Sequence, residues 1–247
     1  AQFRLQGWHL DALVVETDAA QQRAALLGEA LAGPSAPRLI IRRSLPAPSV
    51  TERDIRRIVL GRHDDPFAVL GLHPAAPPTA AATPSASSRR IAAVVRTMQP
   101  GALAVHLLAA DAPHLVHEMA AIDAAGLFEV RLPAVPSGGY RLRVFAADGS
   151  SREIIDPYTL AEPTFGPLDR QLFGEGNHYE IFEKLGAHPR RVGDIDGVSF
   201  ALWAPNAEGV GVIGTFNGWN GLTHQMKLLG HSGVWEMFVP GAGEGDA

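Results

Sequence analysis

The sequence predicts a mainly β protein: two tandem β-sandwich modules, the second incomplete, behind a small α/β N-terminal extension. Three observations carry that expectation. A Leu-Gly-x-His-Pro signature occurs twice, the segments that follow it match in the same order, and both copies alternate apolar and polar residues with the period of a half-buried strand.

The signatures are "VLGLHP" at Val69–Pro74 and "KLGAHP" at Lys184–Pro189. Leu70, Gly71, His73 and Pro74 match Leu185, Gly186, His188 and Pro189 at a shift of 115 (185 − 70). Pro100, Ala102 and Val105 match Pro205, Ala207 and Val210 at a shift of 105 (205 − 100). Gly126, Glu129 and Pro133 match Gly233, Glu236 and Pro240 at a shift of 107 (233 − 126). The fall of ten (115 − 105) implies extra residues in the first copy, and "AAPPTAAATPSASS" at 75–88 supplies them. That tract has too little apolar surface to offset its ordering entropy, so a mobile inserted loop is expected there.

"FEVRL" sets Phe128, Val130 and Leu132 against Glu129 and Arg131, and "YRLRVF" sets Tyr140, Leu142 and Val144 against Arg141 and Arg143. Turn dipeptides such as Pro100-Gly101 and Asp148-Gly149 separate such runs. Short strands at regular spacing indicate sandwiches of immunoglobulin-like type. The expected organisation is an extension over 1–48 of unassigned role, a helix and first module over 49–158, an extended connector over 159–189 and a second module over 190–247. In the extension, "ALVVET" and "RLIIRRSL" read as strands around a helix from Asp18 to Gly33. In "TERDIRRIVLG", Thr51 caps a helix with Ile55, Ile58 and Val59 on one face, and Gly61 ends it. By the repeat, the second copy would run to about residue 265 (158 + 107), and the chain stops at Ala247. A module without its last strands is expected to expose a sheet edge and part of its core.

Composition narrows the function. The 247 residues are 46% apolar, with a net charge of −5 and no cysteine. Scattered Lys and Arg give no nucleic-acid footprint, and no apolar run reaches the ~20 residues that span a bilayer. Absent thiols suit a reducing cytoplasm. No catalytic residue, metal site or cofactor is expected. "GVGVIG" at Gly209–Gly214 fits a nucleotide-loop pattern, but turn-rich "TFNGWNG" follows in place of a helix. The glycines are instead expected inside a strand, packed small against a neighbour. His114 and His117 lack a third ligand, and the pairs Glu180/Glu183 and Asp194/Asp196 show no sign of facing a shared cleft.

The aromatic residues are more informative. Trp219 stands in a turn with Asn217, Gly218, Asn220 and Gly221, where a flat ring lies beside amide donors and acceptors. A pyranose has an apolar face and a hydroxyl rim, so Trp219, Asn217 and Asn220 are the candidate carbohydrate-binding residues. The alternative is that Trp219 folds back into its own core. Trp203 and Trp235 lie in strand runs and are expected in the core.

"DPFAVLGLHP", "IIDPYTL", "YEIFEKLGAHP", "FALWAPNAEGVGVIGTFNGWNG" and "GVWEMFVPGA" together resemble the N-terminal part of bacterial glycogen branching enzymes over about residues 50–247. The resemblance implies a transferase of glycogen biosynthesis that moves an α-1,4-glucan segment to a 6-hydroxyl. It also implies a (β/α)8 barrel, absent from this sequence, that carries the catalytic carboxylates. The implied partners are α-1,4-glucan or glycogen and that C-terminal catalytic barrel, without nucleic acid or membrane. The chain alone is then expected to bind and position glucan without catalysing transfer. A stand-alone glucan-binding protein, or the front of a debranching enzyme or trehalose-releasing hydrolase, is the alternative.

Overall fold

The computed structural model describes residues 12–16, 38–42, 50–75, 91–111, 116–160 and 162–246. The expected helix at 18–33, all but the first residue of the inserted loop expected at 75–88, and His114 lie outside them. Two compact units divide the chain. In the first, β1 (Ala12–Glu16) and β2 (Arg38–Arg42) pair in parallel, Ala12 opposite Arg38. All other described residues belong to the second unit.

That unit opens with α1 (Glu52–Val59). Thr51 caps it through its hydroxyl, which accepts from the Asp54 N–H at 3.2 Å, and Gly61 follows its end with φ +66°. Next come β3 (Gly71–Pro74), β4 (Ala93–Met98), β5 (Ala102–Ala109), β6 (Val116–Asp123), β7 (Leu127–Leu132), β8 (Tyr140–Ala146) and β9 (Ser151–Ile154). Their order is β3-β4-β7-β6-β5-β8-β9. Strand β6 turns the corner: its first half pairs with β5 and its second half with β7. The ribbon thereby folds into two layers, closed over Val95, Val105, Leu107, Phe128, Leu142 and Val144.

The second copy is β10 (Gly186–Val192), β11 (Ile195–Trp203), β12 (Lys227–Leu228) and β13 (Val234–Pro240), in the order β10-β11-β13-β12. This repeats β3-β4-β7-β6 in register. Gly71 opposes Arg96 as Gly186 opposes Ala201, Thr97 opposes Phe128 as Leu202 opposes Trp235, and Ala120 opposes Glu129 as Lys227 opposes Glu236. Even the signature's local bonds recur: His73 Nε2 meets the Leu70 carbonyl at 3.0 Å, and His188 Nε2 meets the Leu185 carbonyl at 3.0 Å. Gly71 (φ +89°) and Gly186 (φ +111°) occupy a backbone region that disfavours any side chain.

The second copy is a single four-stranded sheet, the incomplete sandwich expected, and much of each face is covered. Val198, Trp235, Met237 and Val239 on the inner face share one core with Ile58 of α1 and with Val69, Leu70, Met98, Leu127 and Tyr158 of the first copy. On the outer face, Val234 packs with Phe165 and Leu229, flanked by Phe173, Ile181 and Leu185. At these residues neighbouring segments take the place of a second layer, whereas Leu202 (39%) and Trp203 (56%) at the end of β11 stay exposed, as expected of a module without its last strands.

The connector also departs from the extended form expected. Residues Pro167–Gly174 form α2, started by Pro167 in the first turn and by Asp169, whose Oδ2 accepts from the Gly166 N–H at 2.9 Å. Its last residues already belong to β10, which begins at Gly186 rather than at 190. The glycines of "GVGVIG" do pack tightly, since a Cβ on Gly209 would lie 1.8 Å from the Gly61 carbonyl oxygen. They form no strand, only a single bridge between Gly211 and Gln225.

A short 3-10 turn, Pro157–Thr159, joins the two copies. Asp156 is fully buried, with Oδ2 accepting from the Tyr140 hydroxyl at 2.5 Å and Oδ1 from the Tyr158 N–H at 3.1 Å. The Tyr158 hydroxyl accepts from the Gln225 N–H at 2.8 Å, and Gln225 Nε2 donates to the Ile58 carbonyl at 2.9 Å. Tyr158→Phe would strand the Gln225 N–H in the core and should cost about 1–3 kcal/mol in urea denaturation. Ile58→Ala should cost about 2–5 kcal/mol and red-shift Trp235 fluorescence before global unfolding. Midpoints equal to the parent's would show that α1 and the second sheet do not share a core.

Candidate functional site

The turn from Gly214 to His224 is the most heavily bonded loop of the second copy. Thr215–Asn217 and Gly221–Thr223 are two single 3-10 turns. Between them, Gly218 (φ +61°) and Trp219 (φ +62°) are consecutive left-handed residues. Trp219 is the one non-glycine residue with positive φ among the described residues. A bulky side chain there costs about 1–2 kcal/mol of strain, so the surroundings must impose the conformation.

Asn217 imposes it. The side chain is 4% exposed. Its Oδ1 accepts from the Gly214 N–H at 3.0 Å, and its Nδ2 meets the Val212 carbonyl at 2.8 Å, the Asn220 carbonyl at 3.1 Å and His224 Nδ1 at 3.1 Å. The Trp219 N–H closes the loop on the Gly214 carbonyl at 2.9 Å. The outcome is an indole 57% exposed to solvent. The alternative of Trp219 buried in its own core does not hold.

The three sequence-predicted site residues thus separate. Trp219 presents its ring outward. Asn220 is partly buried, with Oδ1 held by the Leu222 N–H at 3.0 Å; its Nδ2 has no hydrogen-bond partner among the described residues. Asn217 is corrected from a ligand contact to an internal brace, because its amide is buried and engaged. In a short Asn/Gly turn, sequence spacing does not reveal which amide faces inward.

Trp203 is a second correction. Trp235 is 1% exposed, as expected of a core residue, but Trp203 is 56% exposed. It ends β11 opposite Val234 on the outer face, and its ring meets the edge of Phe173 at 6.1 Å. Strand periodicity reports the face a residue points to; it carries no information on whether a connector covers that position.

His224 was not singled out by sequence reasoning. Burial, with the Arg152 charge adding to it, pushes its pKa down to about 4. Its ring Nδ1 lies 3.1 Å from Asn217 Nδ2 and 2.9 Å from the Thr223 hydroxyl oxygen, whose proton goes to the Asn220 carbonyl, and the ring lies edge-on to Phe216 at 5.4 Å. The turn holds no nucleophile or paired acid and base. Its chemistry is that of a rigid aromatic platform beside an amide. Among the described residues, no three His, Asp or Glu side chains are grouped to hold a metal ion. No helix among them is long and apolar enough to cross a membrane.

Comparison with known proteins gives two family matches. Residues 51–158 match the model described as "alpha-1,4-glucan branching enzyme GlgB, N-terminal domain". Residues 184–247 match carbohydrate-binding module 48, the isoamylase N-terminal domain. The chain is 45% identical over 196 residues to a 1,4-alpha-glucan branching enzyme GlgB of Paramagnetospirillum magneticum, covering 79% of this chain and 24% of that protein. It is 39% identical over 214 residues to a GlgB of Burkholderia thailandensis, covering 86% of this chain and 24% of that one. The chain therefore spans about a quarter of the length of these curated relatives. Among solved structures, a type I pullulanase of Bacillus subtilis complexed with maltose aligns with 62% of this chain at 20% identity and a TM-score of 0.22.

The depressed His224 pKa fixes a sign. Above pH ~6.5 the imidazole is neutral folded or unfolded. As pH falls from there to about 4, the unfolded chain takes up a proton that the folded turn refuses, so stability is lost across that window. The full effect is on the order of 3 kcal/mol. Urea midpoints from pH 7 to pH 4 should therefore fall more steeply for the parent than for His224→Gln. Parallel curves would show that His224 does not titrate in the turn.

Proposed function

We propose that this chain, which belongs by its two matched domains to the N-terminal region of the GlgB branching-enzyme family, binds and positions α-1,4-glucan for transfer of a segment to a 6-hydroxyl. The transfer chemistry is assigned to the barrel that the family resemblance implies; the described residues form the β1–β2 pair, two β copies, α1 and α2 and no such barrel. The cytoplasm is the setting that fits glycogen synthesis and a chain with zero cysteines.

The observation that carries this reading is the Trp219 ring, exposed at a strained φ of +62° that the buried Asn217 enforces. Strain held in place by a dedicated brace points to a role for the ring outside folding. A pyranose face covering roughly 50 Å² of indole contributes ~1 kcal/mol. Asn220 Nδ2, beside it, is placed to donate to a sugar hydroxyl. So small an increment suits a polymer, on which several weak contacts act together through effective concentration.

Two outcomes test the reading. Electrophoresis through a glycogen-containing gel should retard the chain, and Trp219→Ala should abolish the retardation while leaving the urea midpoint unchanged or raised by the removal of a bulky left-handed residue. An unretarded parent would refute glucan binding at this turn. Incubated alone with amylose, the 247-residue chain should leave the iodine-stained spectrum unchanged; a shift to shorter wavelength would show that these domains themselves carry transfer activity.

A further inference from the structure

The two copies treat one carboxylate differently. Glu129 in the first copy is 1% exposed and spends both oxygens on buried ion pairs, Oε2 with Arg96 Nε at 2.9 Å and Oε1 with Arg131 Nε at 3.0 Å. Its counterpart Glu236 keeps the same place in the sheet, opposite Ala201 on β11 and Lys227 on β12. Both arginines are gone: position 201 is Ala, where the first copy has Arg96, and position 238 is Phe, where it has Arg131. The connector N–H groups of Thr164 and Phe165 instead donate to Glu236 Oε2, each at 3.2 Å. Oε1 has no hydrogen-bond partner among the described residues.

Glu236 lines a cleft of about 290 Å³ between the connector and the outer face of the second sheet. Phe67, Phe165 and Phe238 give it apolar walls, and Arg170 and Lys227 contribute positive charge. Lys227 Nζ pairs with Asp65 Oδ2 at 2.8 Å, whereas the Arg170 guanidinium makes no hydrogen bond or close ion pair among the described residues. Burial raises the Glu236 pKa, which Thr164, Phe165, Lys227 and Arg170 only partly counter. A carboxylate released from its structural partners, left with one open oxygen in a walled cleft beside an unpaired guanidinium, is a recognition site in search of hydroxyl groups.

We propose that this cleft, held by Glu236 and Arg170, is a second saccharide site, separate from the Trp219 turn, that takes one or two α-linked glucosyl units. The balance of charges favours a neutral ligand over an anion or a cation. The volume, just under the ~300–1,000 Å³ of ligand pockets, fits a chain end rather than the middle of a long glucan. Glu236 Oε1 accepts from, and Arg170 donates to, vicinal hydroxyls, while the phenylalanine walls cover the ring's C–H face. Only the choice of glucose as the sugar rests on the function proposed above.

Backbone amide NMR of the full chain, titrated with maltose, separates the two sites. Saturable shifts are expected at the Thr164 and Phe165 amides, and they should persist in Trp219→Ala. Arg170→Ala, at an exposed position, should weaken that binding roughly tenfold or more. Glu236→Gln, which keeps an acceptor for the connector amides, should do the same. Shifts confined to residues 214–224, equal affinities in both variants, or equal shifts with glycerol at the same hydroxyl concentration would each overturn the proposal. Loss of glycogen retardation in Trp219→Ala with the Thr164 response intact would uphold both sites. An unretarded parent that still shows the response would refute the turn while upholding the cleft.

Discussion

The arrangement of residues 50–246 rests on the span Asp156–Tyr158. Asp156 faces back to Tyr140 of the first copy and Tyr158 reaches forward to Gln225 of the second, so three residues tie two sheets together through buried hydrogen bonds. Desolvation raises the Asp156 pKa to about 6. Its sign is opposite to that of His224: a raised carboxylate contributes stability below its unfolded pKa and loses it as pH climbs through 6. Around this joint the apolar residues of α1, of the ends of β4 and β7, and of the inner face of β11 and β13 merge into one core.

The duplication explains how one unit can serve two purposes. Register, order and signature bonds are kept across four strands, which shows that the backbone plan tolerates wide sequence change. Side-chain duty is not kept. In the first copy a buried Arg–Glu–Arg set fills the sheet face. In the second, Ala201 and Phe238 stand where the arginines were, so Glu236 has lost both charged partners, and the connector amides reach it instead. Removing one partner of a buried pair is costly unless new donors arrive, and the Thr164 and Phe165 amides are those donors.

Much of this was legible in the sequence, for a physical reason. Leu-Gly-x-His-Pro encodes a local event, a left-handed glycine followed by a histidine returning to a carbonyl three residues earlier, and local events survive as motifs. Period-2 strands, the Thr51 cap and the mainly β class were legible likewise. The shared core was not, because strand periodicity marks a face as apolar without saying which neighbour covers it, and burial is satisfied by any neighbour. Helix α2 was hidden by its short length and weak amphipathicity, though Gly-Pro-Leu-Asp at 166–169 is a usable start signal. At the site, exposure of Trp219 was readable from its turn, but the inward aim of Asn217 and the part played by His224 depend on hydrogen bonds that spacing does not encode.

The joint core also bears on how such chains can be recombined. Because Ile58, Tyr158 and Trp235 bury one another across three segments far apart in sequence, the carbohydrate-module segment is not a detachable cassette. A chimera that imports residues 184–247 from a relative inherits half an interface. Its natural crossover point lies upstream of α1, so that helix, hinge turn and sheet travel together as one heritable block.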